Sequence, residues 1–291
     1  MNIGIAGTGR MGNAIAMRLL GLGHQVTVWN RTVSKAQATV DAGAAFASTP
    51  AQLAAQVDII ITILTDTAAI EAVYYDKDGL LSVDVAGKLF LEMSTVPPET
   101  ERALVKRVME EDAQFVECPV GGTVTPAKEG KLFSLVGADA QPLARAMPLL
   151  EQMCRRIEHV GPVGSGSAMK LAINLPLIVF WQAFGEAVSL TKQLGIEPAR
   201  LVEIFSDTSG AAVVLKNRSA AVIKALAGED TGPAAFDMNA MRKDLRTMLE
   251  AGKELGVELP TAASVLESFN RFAAEGQGGI DGVRIPAWVS R

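Results

Sequence analysis

The chain has 291 residues, 49% of them hydrophobic and 20% charged, with a net charge of −5. That length exceeds one ordinary core and suits two domains, and with no basic run to neutralise a row of phosphates, nucleic acid is not an expected partner. Two cysteines, Cys118 and Cys154, make no disulfide framework and fit a reducing compartment.

The first strand is expected from residue 3, which leaves no room for a charged leader and a cleavage site, so the expected setting is cytoplasmic. The run NIGIAG passes straight into Gly7-Thr8-Gly9-Arg10-Met11-Gly12, then into a helix-length segment, NAIAMRLLGLG, and a second strand, QVTVWN. Strand, glycine loop, helix and strand in that order read as a dinucleotide site rather than a bare turn. Gly7 permits the sharp turn, Gly9 lets the backbone approach a pyrophosphate, and Gly12 lets helix and strand pack closely. The free N–H groups and dipole of the helix N-terminus favour the anion. An NAD site wants an acid at the end of the second strand. Asn30-Arg31-Thr32 stand there instead, with Arg31 suited to clamp a 2′-phosphate and Asn30 and Thr32 to donate or accept around it. NADP(H) is therefore expected in preference to NAD(H). His24 and Trp29 read as turn and packing residues.

Five further strands are predicted: DIIITIL, KLFLEM, QFVECPV, LFSLVG and RRIEHVG, with helical segments such as PAQLAAQV between the earlier ones. Several are apolar at nearly every position, as strands covered on both faces are. This is the pattern of an α/β chain whose residues 1–162 form a Rossmann-type doubly wound sheet. At Gly161 the composition changes. GPVGSGS reads as a glycine-serine hinge, and beyond it helical patterns at 167–194, 198–206, 211–227, 237–256 and 261–274 predict an all-α C-terminal domain, 163–291, joined by one long helix. Pro176, which removes one bond from that helix, is expected to give a kink or a local irregularity. Its apolar stretch carries Asn174, Pro176, Gln182 and Glu186, and so reads as a core helix rather than a membrane span. Phe180 and Trp181 on it either face a partner subunit or fill the core. Met11, Met17, Met93, Met169 and Met248 read as core or cleft-lining residues, and GQGGIDG near the end reads as a loop. Histidine, cysteine and aspartate are not clustered, so no metal is expected.

Four stretches beyond the glycine loop resemble the β-hydroxyacid dehydrogenase family, nearest its glyoxylate/succinic semialdehyde reductase branch: MSTVPPET, FVECPVGGTVTPAKEGKL, GPVGSGSAMKLAINL and FDMNAMRKDLRTMLEAGKELGVELP. The resemblance runs from residue 3 to about residue 275. It implies that Thr95 lies beside the nicotinamide ribose and the substrate, and that Leu64 and Thr65 join the cofactor contacts. It also implies that backbone N–H groups at Gly121, Gly122 and Thr123 hold a substrate carboxylate. Gly121 stands where the family usually has serine and Pro126 where it has glycine, and Glu117 and Cys118 also depart from the usual spelling. Thr123 offers a hydroxyl in place of the missing serine. Lys170 matches the catalytic lysine, with Asn174 four residues on and therefore one turn away on the same helix face. From Arg-Lys-Asp-Leu, the resemblance gives Lys243 a contact with cofactor and substrate and Asp244 an orienting role, while Phe236 closes the pocket.

Carbonyl reduction moves a hydride to carbon and leaves charge on oxygen, and a lysine ammonium can both stabilise and protonate that oxygen. Neither a serine–histidine pair nor a paired carboxylate is evident to compete for the role. The reading is an NADPH-dependent reductase of small aldehyde acids such as glyoxylate, succinic semialdehyde or tartronate semialdehyde, which in reverse oxidises the matching hydroxy acid, with the 3-hydroxyisobutyrate type included. The substrate carries a carboxylate, no membrane is involved, and a homodimer or homotetramer is expected. The alternatives are an imine reductase on the same architecture, which Lys170 argues against, and a non-catalytic NADPH-binding regulatory module.

Overall fold

The computed structural model describes residues 1–291. Nine strands form one sheet: β1 (Asn2–Ala6), β2 (Gln25–Trp29), β3 (Ala45–Phe46), β4 (Ile59–Thr62), β5 (Leu89–Glu92), β6 (Gln114–Glu117), β7 (Val120–Gly121), β8 (Leu132–Gly137) and β9 (Cys154–Gly161). Their spatial order is β3-β2-β1-β4-β5-β6-β8-β7, with β9 also paired to β8. The first six are parallel and doubly wound, and the order reverses between β1 and β4, where such folds bind ligands beyond the strand C-termini. β8 runs antiparallel to β6 and parallel to β9. The connecting helices are α1 (Arg10–Gly21), α2 (Gln37–Asp41), α3 (Pro50–Gln56), α4 (Thr67–Tyr75), α5 (Pro98–Glu110), α6 (Val124–Glu129) and α7 (Ala140–Met153).

Strand alternation divides the apolar side chains between two faces. Ile3, Ile5, Ile59, Ile61, Leu89 and Leu91 enter one core cluster. Ala6, Ile60 and Phe90 enter the other. This is why these strands read as continuous apolar runs. Two details differ from expectation. QFVECPV is not one strand, because Pro119 has no N–H with which to continue the ladder, and the chain re-pairs as β7 against β8. The two-residue β3 is too short to leave a periodic signal.

The chain divides into two compact units, Met1–Lys170 and Leu171–Arg291. The second is built from most of α8 (Ser165–Leu190) together with α9 (Pro198–Ser206), α10 (Val213–Leu226), α11 (Met238–Glu254), α12 (Pro260–Phe272) and α13 (Ile285–Val289). Leu171, Ile178, Trp181, Phe184 and Val188 of α8 enter the helical core, with Phe180 packed at its margin, so both aromatics fill the core. α8 is long and apolar enough to cross a membrane, yet 44% of its most apolar window is buried inside the protein. It continues through Pro176 as one helix. Proline removes one hydrogen bond, and the anchored face on either side holds the helix together. Past α12 the expected loop holds a turn with Gly276 at φ +81°, and then α13, which the sequence reading missed. Five residues containing Pro286 carry no helical period. α13 is held by Trp288 against Phe272, with ring centroids 4.7 Å apart. Met93 and Met248 are buried, whereas Met17 and Met169 are exposed, so those two belong to no core.

Candidate active site

The glycine loop follows β1 and opens α1. Gly7 has φ +105°, and a Cβ there would collide with the Ile63 carbonyl. A Cβ on Gly12 would collide with the Gly7 carbonyl. A Cβ on Gly9 would meet nothing within 4 Å. Two of the glycines are thus required by the chain itself and the third by nothing in it. Gly9 caps α1 without a side-chain bond, and no acid stands in the first turn, so the positive pole of the helix dipole faces the loop with no carboxylate of its own turn against it. The Thr8 hydroxyl is buried there without a partner. These features fit the pyrophosphate of a dinucleotide. Arg10 is exposed and Met11 packs against the core.

Asn30 is held by the chain itself. Its Oδ1 accepts from the Thr8 N–H at 3.0 Å and its Nδ2 donates to the Thr32 carbonyl at 2.9 Å. The side chain ties the end of β2 to the glycine loop. Arg31 and Thr32 are exposed beside it. Leu64 borders the loop, lying 3.2 Å from where a Gly7 Cβ would be, and its N–H donates to Ser94 Oγ at 2.8 Å. The Thr65 hydroxyl donates to Asp66, which caps α4.

Behind Ser94 and the half-buried Thr95 lies a feature the sequence reading did not find. Glu92 and Glu117, the last residues of β5 and β6, are register partners, and both are buried. Paired carboxylates therefore exist, although none was expected. Glu92 accepts from the Ser94 N–H and hydroxyl. Burial, partly offset by those bonds, pushes its carboxyl up to about 8. Glu101 of α5 is fully buried with neither oxygen hydrogen-bonded, and burial first, then Glu92 and Glu117, holds its carboxyl well above the usual range. The available signal was two apolar strands, LFLE and QFVE, each ending on glutamate.

Gly122 has φ +127°, and a Cβ there would lie 2.9 Å from Leu132 Cδ2, so glycine is required. At Gly121 the nearest atoms would be 3.7 Å away, so a serine would fit and its absence is not steric. Thr123 precedes α6 without capping it, and α6 packs against α1. Cys118 is buried, and burial pushes its thiol well up, which makes it a packing residue rather than a nucleophile. His24 keeps to its turn, bonded to Gln152.

Lys170 is half-buried in the second turn of α8. In the helical unit, Asn174 is buried and its Nδ2 donates to Asp244 Oδ2 at 2.9 Å. Lys243 Nζ lies 2.6 Å from Asp244 Oδ1. Asp244 is thus an ion-pair and hydrogen-bond centre for two of the expected site residues. Phe236 is partly buried, and its segment is pinned by the buried Asp281, which accepts from the Ala235 N–H at 2.6 Å and pairs with Arg218 at 3.1 Å. Asp281, inside the stretch read as a loop, was also missed.

Residues 2–161 match the family model described as the NAD binding domain of 6-phosphogluconate dehydrogenase. Residues 164–287 match that described as NAD-binding of NADP-dependent 3-hydroxyisobutyrate dehydrogenase. Glyoxylate/succinic semialdehyde reductase 1 of Arabidopsis thaliana is 32% identical over 281 residues, covering 97% of this chain and 96% of that protein. The solved 3-hydroxyisobutyrate dehydrogenase of Mycobacterium tuberculosis with L-serine superposes with a TM-score of 0.86 at 25% identity, over 100% of this chain and 99% of that one. An imine reductase from Pseudomonas sp. shares the fold, with a TM-score of 0.64 at 20% identity over 98% and 97% of the two chains.

Proposed function

The chain belongs to the β-hydroxyacid dehydrogenase family, an NAD(P)-dependent group acting on CH–OH donors, and on that premise we propose that it is an NADPH-preferring reductase of a small aldehyde acid. In reverse it oxidises the matching hydroxy acid. The observation that carries the reading is the α8 pair: a half-buried Lys170 one turn before Asn174, whose amide is fixed by Asp244.

NADPH, when bound, supplies the hydride. The N–H groups at the start of α1 hold the pyrophosphate, and the exposed Arg31 guanidinium holds the 2′-phosphate. Backbone N–H groups at Gly121–Thr123 and the Thr123 hydroxyl hold the substrate carboxylate. Lys170 neutralises the charge that develops on the carbonyl oxygen and gives it a proton. The amide nitrogen of Asn174 donates to Asp244, which leaves its Oδ1 as the acceptor for an ammonium or a substrate hydroxyl. The aldehyde-acid class is supported by the 32% identity to the Arabidopsis reductase. A homodimer or homotetramer is part of the reading, supported by the exposed apolar Met169, Ile173 and Leu190 of α8.

The test is a panel of aldehyde acids, keto acids, uncharged aldehydes and cyclic imines with NADPH and NADH, followed by the loss of reduced-nicotinamide absorbance. Aldehyde acids with NADPH should be turned over best. Uncharged aldehydes or imines reduced equally well would overturn the carboxylate site, and equal rates with both cofactors would overturn the NADPH preference.

A further inference from the structure

The hinge GPVGSGS is shaped around a side chain some fifty positions earlier. The Glu117 carboxylate lies at the start of α8, where Oε2 accepts from the N–H groups of Gly164 at 2.6 Å and Gly166 at 3.2 Å, and Oε1 accepts from the N–H of Ser167. Glycines make the room. A Cβ on Gly137 would collide with Oε2, and one on Gly166 would lie 3.1 Å from the Glu117 Cδ and 2.6 Å from the Leu135 carbonyl. Gly164 has φ +98°, and a Cβ there would lie 2.9 Å from Arg102 Nε. A helix start normally leaves such N–H groups to solvent or to a capping residue within the turn. Here they are filled by a carboxylate from the sheet, and Lys170 follows Ser167 by three residues, close to one turn.

We propose that Glu117 is the positioning residue for Lys170: its carboxylate, seated in the amide nest of Gly164, Gly166 and Ser167, fixes the rotation and axial position of the first turns of α8. The proposal rests on Lys170 being the proton donor. Three carboxyls share this buried region, and they differ in the donors that face them. Glu101 has no hydrogen-bond donor at all, and Glu92 has Ser94 and the Thr62 hydroxyl, whereas Glu117 has three backbone N–H groups and the positive pole of a 26-residue helix. These donors favour the charged form of Glu117 more than those of its two neighbours. Burial pushes its carboxyl up, against the opposing pull of the bonds from Ser167, Gly164 and Gly166. The other titratable or charged groups around it are Glu92 on β5, Glu101 and Arg102 on α5, and Cys118 next to it in the chain.

Glu117→Gln tests this, because the amide keeps the size of the side chain but turns an N–H toward donors. A displacement of about 1 Å at a reacting group costs up to roughly 10²-fold, so kcat should fall at least about tenfold. NADPH affinity, read by fluorescence titration, and KM should each stay within about twofold, since neither depends on where Lys170 sits. Rescue by the conservative variant separates charge from packing: Glu117→Asp should recover more of the lost kcat than Glu117→Gln keeps. Hydrogen exchange supplies a readout that needs no substrate: the amides of Gly164, Gly166 and Ser167 should lose protection while those of α1 keep theirs. If the wild type reduces no aldehyde acid, the assigned reaction fails, and the exchange pattern still judges the nest. If Glu117→Gln does not fold, Gly166→Ala is the second variant; it keeps the carboxylate, disturbs its seat, and should show the same kcat loss with NADPH affinity retained. Wild-type kcat and exchange in either variant, or kcat and NADPH affinity falling together, would overturn the proposal.

Discussion

Two helices of this chain begin on glycine-rich loops, and their first turns are satisfied in opposite ways. α1, after GTGRMG, has no capping side chain, and the space over Gly9 is empty. α8, after GPVGSGS, has its first N–H groups filled by Glu117. In sequence the two loops look alike, and the second invites the reading of a flexible hinge. The difference lies in what approaches the glycines. At Gly9 only something from outside the chain can use the room, whereas at Gly137 and Gly166 the chain's own carboxylate takes it. One helix start is built to bind, the other to hold a lysine still.

The largest expected effect separates those two jobs. Lys170→Ala should lower kcat by at least roughly 10²-fold, as for loss of a general acid and its charge, and leave NADPH affinity nearly unchanged. Lys170→Arg should also be poor, because guanidinium does not release its proton near neutral pH. Steady-state rates beside fluorescence titration check this; near-normal turnover in Lys170→Ala would leave α8 without a chemical role.

The converse holds at α1. Gly9→Val meets open space at φ −66°, so it should melt like the wild type yet weaken NADPH by roughly tenfold or more, as lost charge-assisted bonds do. Gly12→Ala should do the reverse, destabilising the fold by about 1–3 kcal/mol because its methyl meets a backbone carbonyl. Paired thermal melts and titrations decide the point, and a Gly9→Val protein that binds NADPH normally would erase the contrast between the two loops. A smaller effect sharpens which anion α1 serves. Arg31→Ala should weaken NADPH by roughly tenfold and NADH hardly at all. Equal losses for the two cofactors would mean that Arg31 is a surface residue only.

Much of this was legible because it is local. Apolar strands, the glycine loop and the helical periods after Gly161 each announce themselves within a dozen residues, and the α/β architecture follows from their order. The resemblance in the segments around Lys170 and Asp244 pointed to residues that the structure does link, Asn174 and Lys243 through Asp244. What escaped depends on register between distant strands. Nothing near Glu117 says that it lies opposite Glu92 or beneath Gly164, and nothing near Asn30 says that its amide holds Thr8. α13 escaped because a helix of five residues has no period, and its place is set by the Phe272 ring and the bare surface of Gly185, where a Cβ would lie 2.9 Å from Val289.

The buried acids behind Ser94 sharpen the comparison through pH. Glu92 and Glu101 are ordinary carboxyls in the unfolded chain, with values near 4.5, but burial raises both in the folded protein, Glu92 to about 8. The native state therefore binds more protons than the unfolded state between those values. Stability from Glu92 is fully present below about 4.5, falls as pH rises, and is lost by the time pH has passed about 8. Within that window one such group contributes a slope of about 1 kcal/mol per pH unit. Glu92→Gln removes the titration and keeps an oxygen to accept from the Ser94 N–H. Its unfolding free energy from urea titration should thus fall less between pH 6 and pH 8 than that of the wild type, by an amount on the order of 1–2 kcal/mol, with the remaining slope belonging to Glu101 and Glu117. Burial raises the Glu117 carboxyl as well, so Glu117→Gln should flatten the profile in the same direction. Parallel urea titrations at the two pH values check both variants, and an unchanged slope in Glu92→Gln would mean that Glu92 is ionised in the folded protein.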